Sequence, residues 1–279
     1  MINTYVRKDL DRILEGLDPC SVEERREYNV EPACALLIPK YEQLCRVEDR
    51  KKYLQEMDDV LSPLEINSLA QLLYHHTPVM RYQAMMGVST TISLFLTTLI
   101  QNSYDSGYND FILDTAEFPN HKVEFGVGLH GVSQKPLTLL INGDLGHLCF
   151  AVTRYVKATV QGSVGSGCGF AMKNSSIHIT GDAQHSCGDR SYHSSFHINN
   201  GTHFTLQKGA RFSTFFVNQI DEVWTIKQKK VYGCSFISPD TKTIEKFIRA
   251  VPLGNRIIFQ EGEHQRTQWW NHFVARITT

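Results

Sequence analysis

The sequence predicts an α+β protein. An α-helical N-terminal domain (residues 1–108) leads into a right-handed parallel β-solenoid of 19-residue coils (109–279) with a capping helix near 240–251. Three observations predict it. Before residue 108, apolar residues recur at helical spacing behind helix-start signals. Further on, GSVGSGCGFAMKNSSIHIT (162–180) runs straight into its near-copy GDAQHSCGDRSYHSSFHIN (181–199). Two apolar columns then hold that period across six rows.

In the front part, Tyr5, Val6, Leu10, Ile13, Leu14 and Leu17 lie near one helical face, with Gly16 close to its end. Ser21-Val22-Glu23-Glu24 matches the capping box, in which a Ser and a Glu satisfy free amides reciprocally. Ser62-Pro63-Leu64-Glu65 is a sharper start, placing a cap, a first-turn Pro and a third-position Glu before INSLAQLLYHH. At the end of that segment, His75 and His76 are placed to favour the helix dipole. A further helix is expected over 80–102, ended by the turn-rich NSYDSGYND. Its apolar stretch MMGVSTTISLFLTTLI is rich in Ser and Thr and shorter than the ~20 residues a bilayer core requires, so a buried soluble helix is expected. The charge run VEDRKKYLQEMDD reads as a solvated helix face. From Asp110 the character changes, and FILDTAEF and HKVEFGVGL read as short strands.

The repeat is built from aligned columns. Gly143, Gly162 and Gly181 open successive rows, with Asn200 in the next place. Gly146 and Gly165 follow three residues on, and Cys149, Cys168 and Cys187 six residues on, with Leu206 next in that file. The strand segments align Leu139, Ala158, Ile177, Phe196, Phe215 and Cys234 in one apolar column. Ile141, Val160, Ile179, Ile198, Val217 and Phe236 form the second. An inward position at every second residue means extended strand. Such rows enclose no core singly; stacked in parallel about 4.8 Å apart, they bury one another and pair their backbones. Glycine supplies the positive φ that tight corners require. About six coils, roughly 25–30 Å of solenoid, are expected. After Ile237, SPDTKTIEKFIRAVPLGN carries Ile244, Phe247, Ile248 and Val251 on one helical face, and RIIFQ returns as a strand. A helix there would cover an exposed sheet edge. EHQRTQWWNHFVARI, with Trp269 and Trp270, is expected to pack on the body.

The rows from about 137 to 218 resemble the glycine-rich C-terminal β-helix domain of glutamate synthase, and a similar repeat found in formylmethanofuran dehydrogenase. The resemblance rests on Gly162, Gly165 and Gly169, on Gly181 and Gly188, and on Met172, Ile177 and Ile179; Phe150 replaces the third glycine in its own row. It covers under a third of the chain and none of the helical front. What it implies is architecture: in those enzymes the β-helix is a structural and interdomain element, with the cofactor chemistry elsewhere. This chain shows neither an iron–sulfur Cys cluster nor a dinucleotide or Walker motif, and no cofactor is expected.

The remaining chemistry is thin. Lys plus Arg (28) balance Asp plus Glu (29), so no net charge recruits nucleic acid or an anionic membrane. Seven cysteines without a CxxC pair, and a start (MINTYVRKDLDRILEGL) lacking the apolar run of a secretory signal, suit a cytoplasmic protein with reduced thiols. Cys149, Cys168 and Cys187 with His147 and His185 form a weak metal candidate, since the two His would share the thiols' side if the backbone were extended there. Outer members of such a file stand about 9–10 Å apart, too far for one zinc ion, and a core ladder of small apolar thiols is expected. His178 and His197, with Ser176 and Ser195 beside Lys157, form an outward polar strip and the candidate binding surface. Asp182, Asp189 and Arg190 fall at turns, where Asp caps backbone amides. No nucleophile motif supports catalysis. The expectation is a non-catalytic scaffold that holds another protein through the outer face or the groove against the helices. The alternatives are an accessory subunit or divergent fragment of a glutamate-synthase-like redox or amidotransferase complex and, third, a metal-binding protein.

Overall fold

The computed structural model of the protein describes residues 31–76, 88–116, 124–206, 209–226 and 231–260. Four helices come first: α1 (Glu31–Arg46), α2 (Arg50–Gln55), α3 (Pro63–His76) and α4 (Val88–Asp105). The expected helix over 5–17, the capping box at Ser21 and the tail around Trp269 lie outside the described residues. At α3 the capping box forms as read: Ser62 N donates to Glu65 Oε2 at 2.7 Å while Glu65 N donates to Ser62 Oγ at 3.3 Å. The expected helix over 80–102 is described from Val88 and runs to Asp105, three residues past its expected end. The charge run around Lys51 holds α2, which buries no residue. No helix among the described residues is long and apolar enough to cross a membrane.

Parallel strands follow, each paired with the next: β1 (Asp110–Asp114), β2 (Leu137–Asn142), β3 (Val156–Gln161), β4 (Ser176–Ala183), β5 (Ser195–Leu206), β7 (Thr214–Ile226), β9 (Ser235–Ser238) and β10 (Arg256–Phe259). Short β6 (Ala210–Arg211) and β8 (Val231–Tyr232) pair at the edge of the turn region, and helix α5 (Thr241–Ala250) lies between β9 and β10. This is a parallel β-solenoid of about six coils. Leu139, Ala158, Ile177, Phe196 and Phe215 stand in one file by direct register, all buried. The file starts a row earlier than the repeat suggests, at Phe111, and ends at Ile257. Phe196, Phe215 and Phe236 stack face to face at 5.1 and 5.3 Å.

Three expectations change. In the β9 row Phe236, not Cys234, stands opposite Phe215, and Ser238 follows it inward. The coil has gained two residues, one by a register shift after Phe204 that sets Thr205 opposite Thr225 and a second before Ala210 pairs with Val231. An even insertion keeps the pleat in phase, so the apolar pattern masks the slip. Asn200 does not continue the glycine file, because a bulge after Ile179 sets it opposite Asp182. HKVEFGVGL is no strand over its described residues: Glu124, Gly126 and Gly128 have φ of 63°, 73° and 79° and begin the first turn of the solenoid.

That turn recurs. Leu148, Phe150 and Val152 have φ of 57°, 55° and 60°, and one row on Gly167, Gly169 and Ala171 have 77°, 65° and 55°. Left-handed backbone at non-glycine residues is strained, most of all at a β-branched Val. Row-to-row hydrogen bonds hold it: Leu148 N donates to Ser166 O at 2.9 Å, Gly169 N to Cys149 O at 2.9 Å and Ala171 N to Asp189 O at 2.7 Å. Gly169 also faces the core, where an added Cβ would lie 2.6 Å from the Phe196 ring. Phe150 holds the same place in the row whose column residue is only Ala158, so large and small exchange across the core.

Helices meet the sheet at two places. Asn67 Oδ1 accepts from Asp114 N at 2.9 Å, and Gln71 Nε2 donates to Asp114 O, both on β1. At the other end α5 lies against β7: Ile220 N donates to Thr243 Oγ1 at 3.1 Å, and Lys246 Nζ donates to the carbonyls of Ile220 and Asp221. Phe247 is fully buried against Phe204 and Phe236.

The packing at Gly169 gives a quantitative expectation. Gly169→Ala combines overpacking against Phe196 with left-handed strain and is expected to cost about 2–4 kcal/mol by urea unfolding. Gly107→Ala, at φ 119° with nothing within 4 Å of the added methyl, reports backbone strain alone and is expected to cost about 1–2 kcal/mol. Equal losses at the two positions would contradict the close-approach account.

Candidate functional site

Parallel stacking turns each coil position into a file along the solenoid, so an outward residue repeated every row becomes a surface stripe. On the strand face, Lys157 stands opposite Ser176, which stands opposite Ser195. One step along, Thr159, His178, His197 and Phe216 are neighbours. The ring centroids of His178 and His197 are 5.8 Å apart, and those of His197 and Phe216 lie 5.4 Å apart, nearly parallel. The four residues read as a binding strip therefore sit side by side. Loss of water around the His197 ring and, second, the neighbouring His178 lower its pKa.

A stronger stripe lies beside it, one that the sequence-based expectation does not include. Where each coil bends into its strand, His130, Arg154, Lys173, Tyr192 and Arg211 pair in succession by isolated parallel bridges, and Arg211 pairs with Tyr232. The bend needs positive φ at the following residue, which is 52° at Tyr155, 49° at Asn174, 48° at His193 and 51° at Phe212. This geometry turns the side chains out of the core. Tyr192, Phe212 and Tyr232 are 39%, 44% and 60% exposed, unusual for large rings. The His193 and Phe212 rings stack at 5.1 Å with 13° between planes, and Tyr192 packs edge-on against both. Arg154, Lys173, Tyr192 and Arg211 are nineteen apart in the sequence, so the period itself is the signal that marks them as one file.

The thiol file is a core feature. Cys149, Cys168 and Cys187 are buried (0%, 0% and 2% exposed), as is Leu206. The backbone at this turn is not extended, since Leu148 and Phe150 are left-handed, so His147 and His185 point to solvent instead of following the thiols inward. They flank Ser166: its amide donates to His147 Nδ1 at 3.0 Å, and its Oγ lies 3.2 Å from His185 Nδ1. Among the described residues no group of three or more His, Cys, Asp or Glu is placed to hold a metal ion. Hydrogen bonds to the Cys149 and Cys187 thiols, then burial, push the Cys168 pKa far up and hold it as a thiol. Of the turn residues, Asp189 is buried, Asp182 is exposed, and Arg190 sets its guanidinium 5.4 Å from the Phe170 ring.

The groove against the helices is also present. It encloses about 880 Å³ between α2, α4 and the first solenoid turn, with Asp49, Arg50, Leu94, Thr98, Val127 and His130 among its walls. Its charges are of both signs. Comparison with protein-family models, curated proteins and solved structures finds no match to this chain.

Two outcomes follow from these environments. A folded-state pKa below the ordinary His value of about 6.5 means the unfolded chain binds that proton more tightly, so stability is complete above about pH 6.5 and declines as pH falls through it. His197→Phe removes the titrating group and extends the Phe216 stack, so its Tm is expected to drop less than wild type between about pH 7 and 5. An unchanged pH profile would contradict this. Ellman's reagent near pH 8 should leave Cys168 unmodified in the folded chain and label it in urea. Equal labelling in both states, read by peptide mass mapping, would rule out the buried ladder.

Proposed function

We propose that this protein is a non-catalytic scaffold that holds another protein on the outer face of its solenoid. The observation that carries the reading is the stripe of exposed Tyr192, Phe212 and Tyr232 interleaved with Arg154 and Arg211 on a rigid parallel frame. Tyr and Arg are the residue types that anchor protein interfaces, and ordered backbone limits the entropy lost on docking. The strip of His178, His197 and Phe216 continues that surface across the strands. We read α5 as the cap of the solenoid, supported by Thr243 and Lys246 bonding the backbone of β7 and by Phe247 closing over Phe236. A cytoplasmic setting suits the six described cysteines, all free thiols.

The test is affinity capture from the native host with mass spectrometry, wild type beside Phe212→Ser/Tyr232→Ser. Both side chains lie outside the buried core, and a urea unfolding transition of unchanged cooperativity confirms that the double variant is folded. A stoichiometric protein captured by wild type and reduced at least about tenfold by the double variant is expected. Equal capture by both would refute the assignment of this face.

A further inference from the structure

The scaffold reading says where a partner sits; the distribution of charge says what it is made of. From the bend through the strand, residues 130–142, 152–161, 171–180, 190–199, 211–218, 231–238 and 252–260 contain no Asp or Glu. The same stretches carry Lys135, Arg154, Lys157, Lys173, Arg190, Arg211 and Arg256, with His130, His178, His193 and His197. The exposed acids Asp144, Asp182, Asp221 and Glu222 fall outside them, while the first strand row places exposed Asp110 in the file of Thr138 and Lys157, away from Arg154, Lys173 and Arg211. In a chain of net charge −1, the bend file of His130, Arg154, Lys173, Tyr192, Arg211 and Tyr232 thus holds basic and aromatic residues and no acid. Lys40–Asp59, Arg46–Glu42 and Lys52–Glu56 pair in the helical region, and among the described residues no ion pair involves Arg154, Lys173 or Arg211.

We infer, resting on the scaffold reading, that this face binds an acidic segment of a partner protein whose carboxylates run along the solenoid axis and whose apolar side chains pack on Tyr192, Phe212 and Tyr232. The files set the geometry. Rows about 4.8 Å apart place Arg154 and Arg211 about 14 Å apart, close to four residues of extended chain at about 3.4 Å each, with Lys173 and Tyr192 between. A run of like charge with no acid in its own file favours a complementary partner and disfavours neutral or basic ones. Single-stranded nucleic acid is the competing polyanion, but proteins that bind it track the backbone along a cationic groove. Here the stripe stands at a bend, and the described groove elsewhere carries both signs.

The experiment uses the full chain and fluorescence anisotropy with three labelled probes: a Glu-rich peptide carrying two Phe, a Ser-rich peptide carrying the same two Phe, and oligo-dT. Two charge-reversed variants are compared, Arg154→Glu/Lys173→Glu/Arg211→Glu on the stripe and Lys52→Glu/Lys242→Glu/Arg249→Glu on exposed helix positions. All six positions are exposed, and matching urea unfolding curves confirm folding. The expected result is binding of the Glu-rich peptide that weakens with salt, falls at least about tenfold in the stripe variant and less than about twofold in the helix variant, with the Ser-rich peptide bound at least about tenfold more weakly. Equal losses in the two variants, equal binding of the two peptides, or preference for oligo-dT overturns the acidic-partner inference. The scaffold reading is judged separately, by loss of the captured protein in Phe212→Ser/Tyr232→Ser.

Discussion

Each coil of this solenoid lies against the next at hydrogen-bonding distance along both its strand and its turn, and the rest of the molecule depends on that close approach. The glycine files make it possible. A Cβ at Gly162 would stand 2.5 Å from Gly143 O, and one at Gly165 would stand 2.6 Å from the carbonyl carbon of Gly146. With backbones in contact there, the strands pair in register and the inward side chains pile into files, so the core is a set of columns.

Close stacking explains two features that would otherwise conflict. The turn residues adopt left-handed backbone even at Leu148, Val152 and Arg190, conformations that non-glycine residues adopt reluctantly. They persist because amides on both sides bind neighbouring rows, so relaxing one residue would break bonds in two directions. The core adjusts by volume: glycine faces the Phe rings at positions 169 and 188, and Phe150, in the equivalent place of the row whose column residue is Ala158, fills it with a ring packed edge-on to Phe125. Strain in the backbone and complementarity in the core are therefore parts of one arrangement.

Stacking also makes surfaces periodic, which is how a chain of near-zero net charge comes to have a basic and aromatic stripe. A position that turns outward once turns outward in every row, so a few basic and aromatic residues suffice to build a stripe. The helices meet the frame at its ends, Asn67 and Gln71 bonding the backbone of β1, Gln101 that of His130 at the first bend and Lys246 that of β7, and the bends from Arg154 to Tyr232 keep their side chains in water.

The repeat and the two apolar columns were legible because period-two burial and a nineteen-residue recurrence are local properties that any copy of the coil displays. The box at Ser62–Glu65 and the helix at 241–250 were legible for the same reason, since capping and amphipathicity act within a few residues. The turn at Glu124–Leu129 looks like strand in the sequence, because its left-handed backbone falls partly on residues with no preference for it. The slip that replaces Cys234 by Phe236 was invisible, since two inserted residues preserve the alternation. The stripe of Arg154, Lys173, Tyr192, Arg211 and Tyr232 was written in the period, yet its exposure was not: whether a position faces core or water at a bend depends on φ values set by hydrogen bonds to the neighbouring rows. By itself the sequence determined that the coils repeat and stack; only the tertiary structure decided which residues the bends expose, because that choice is made between rows and not within them.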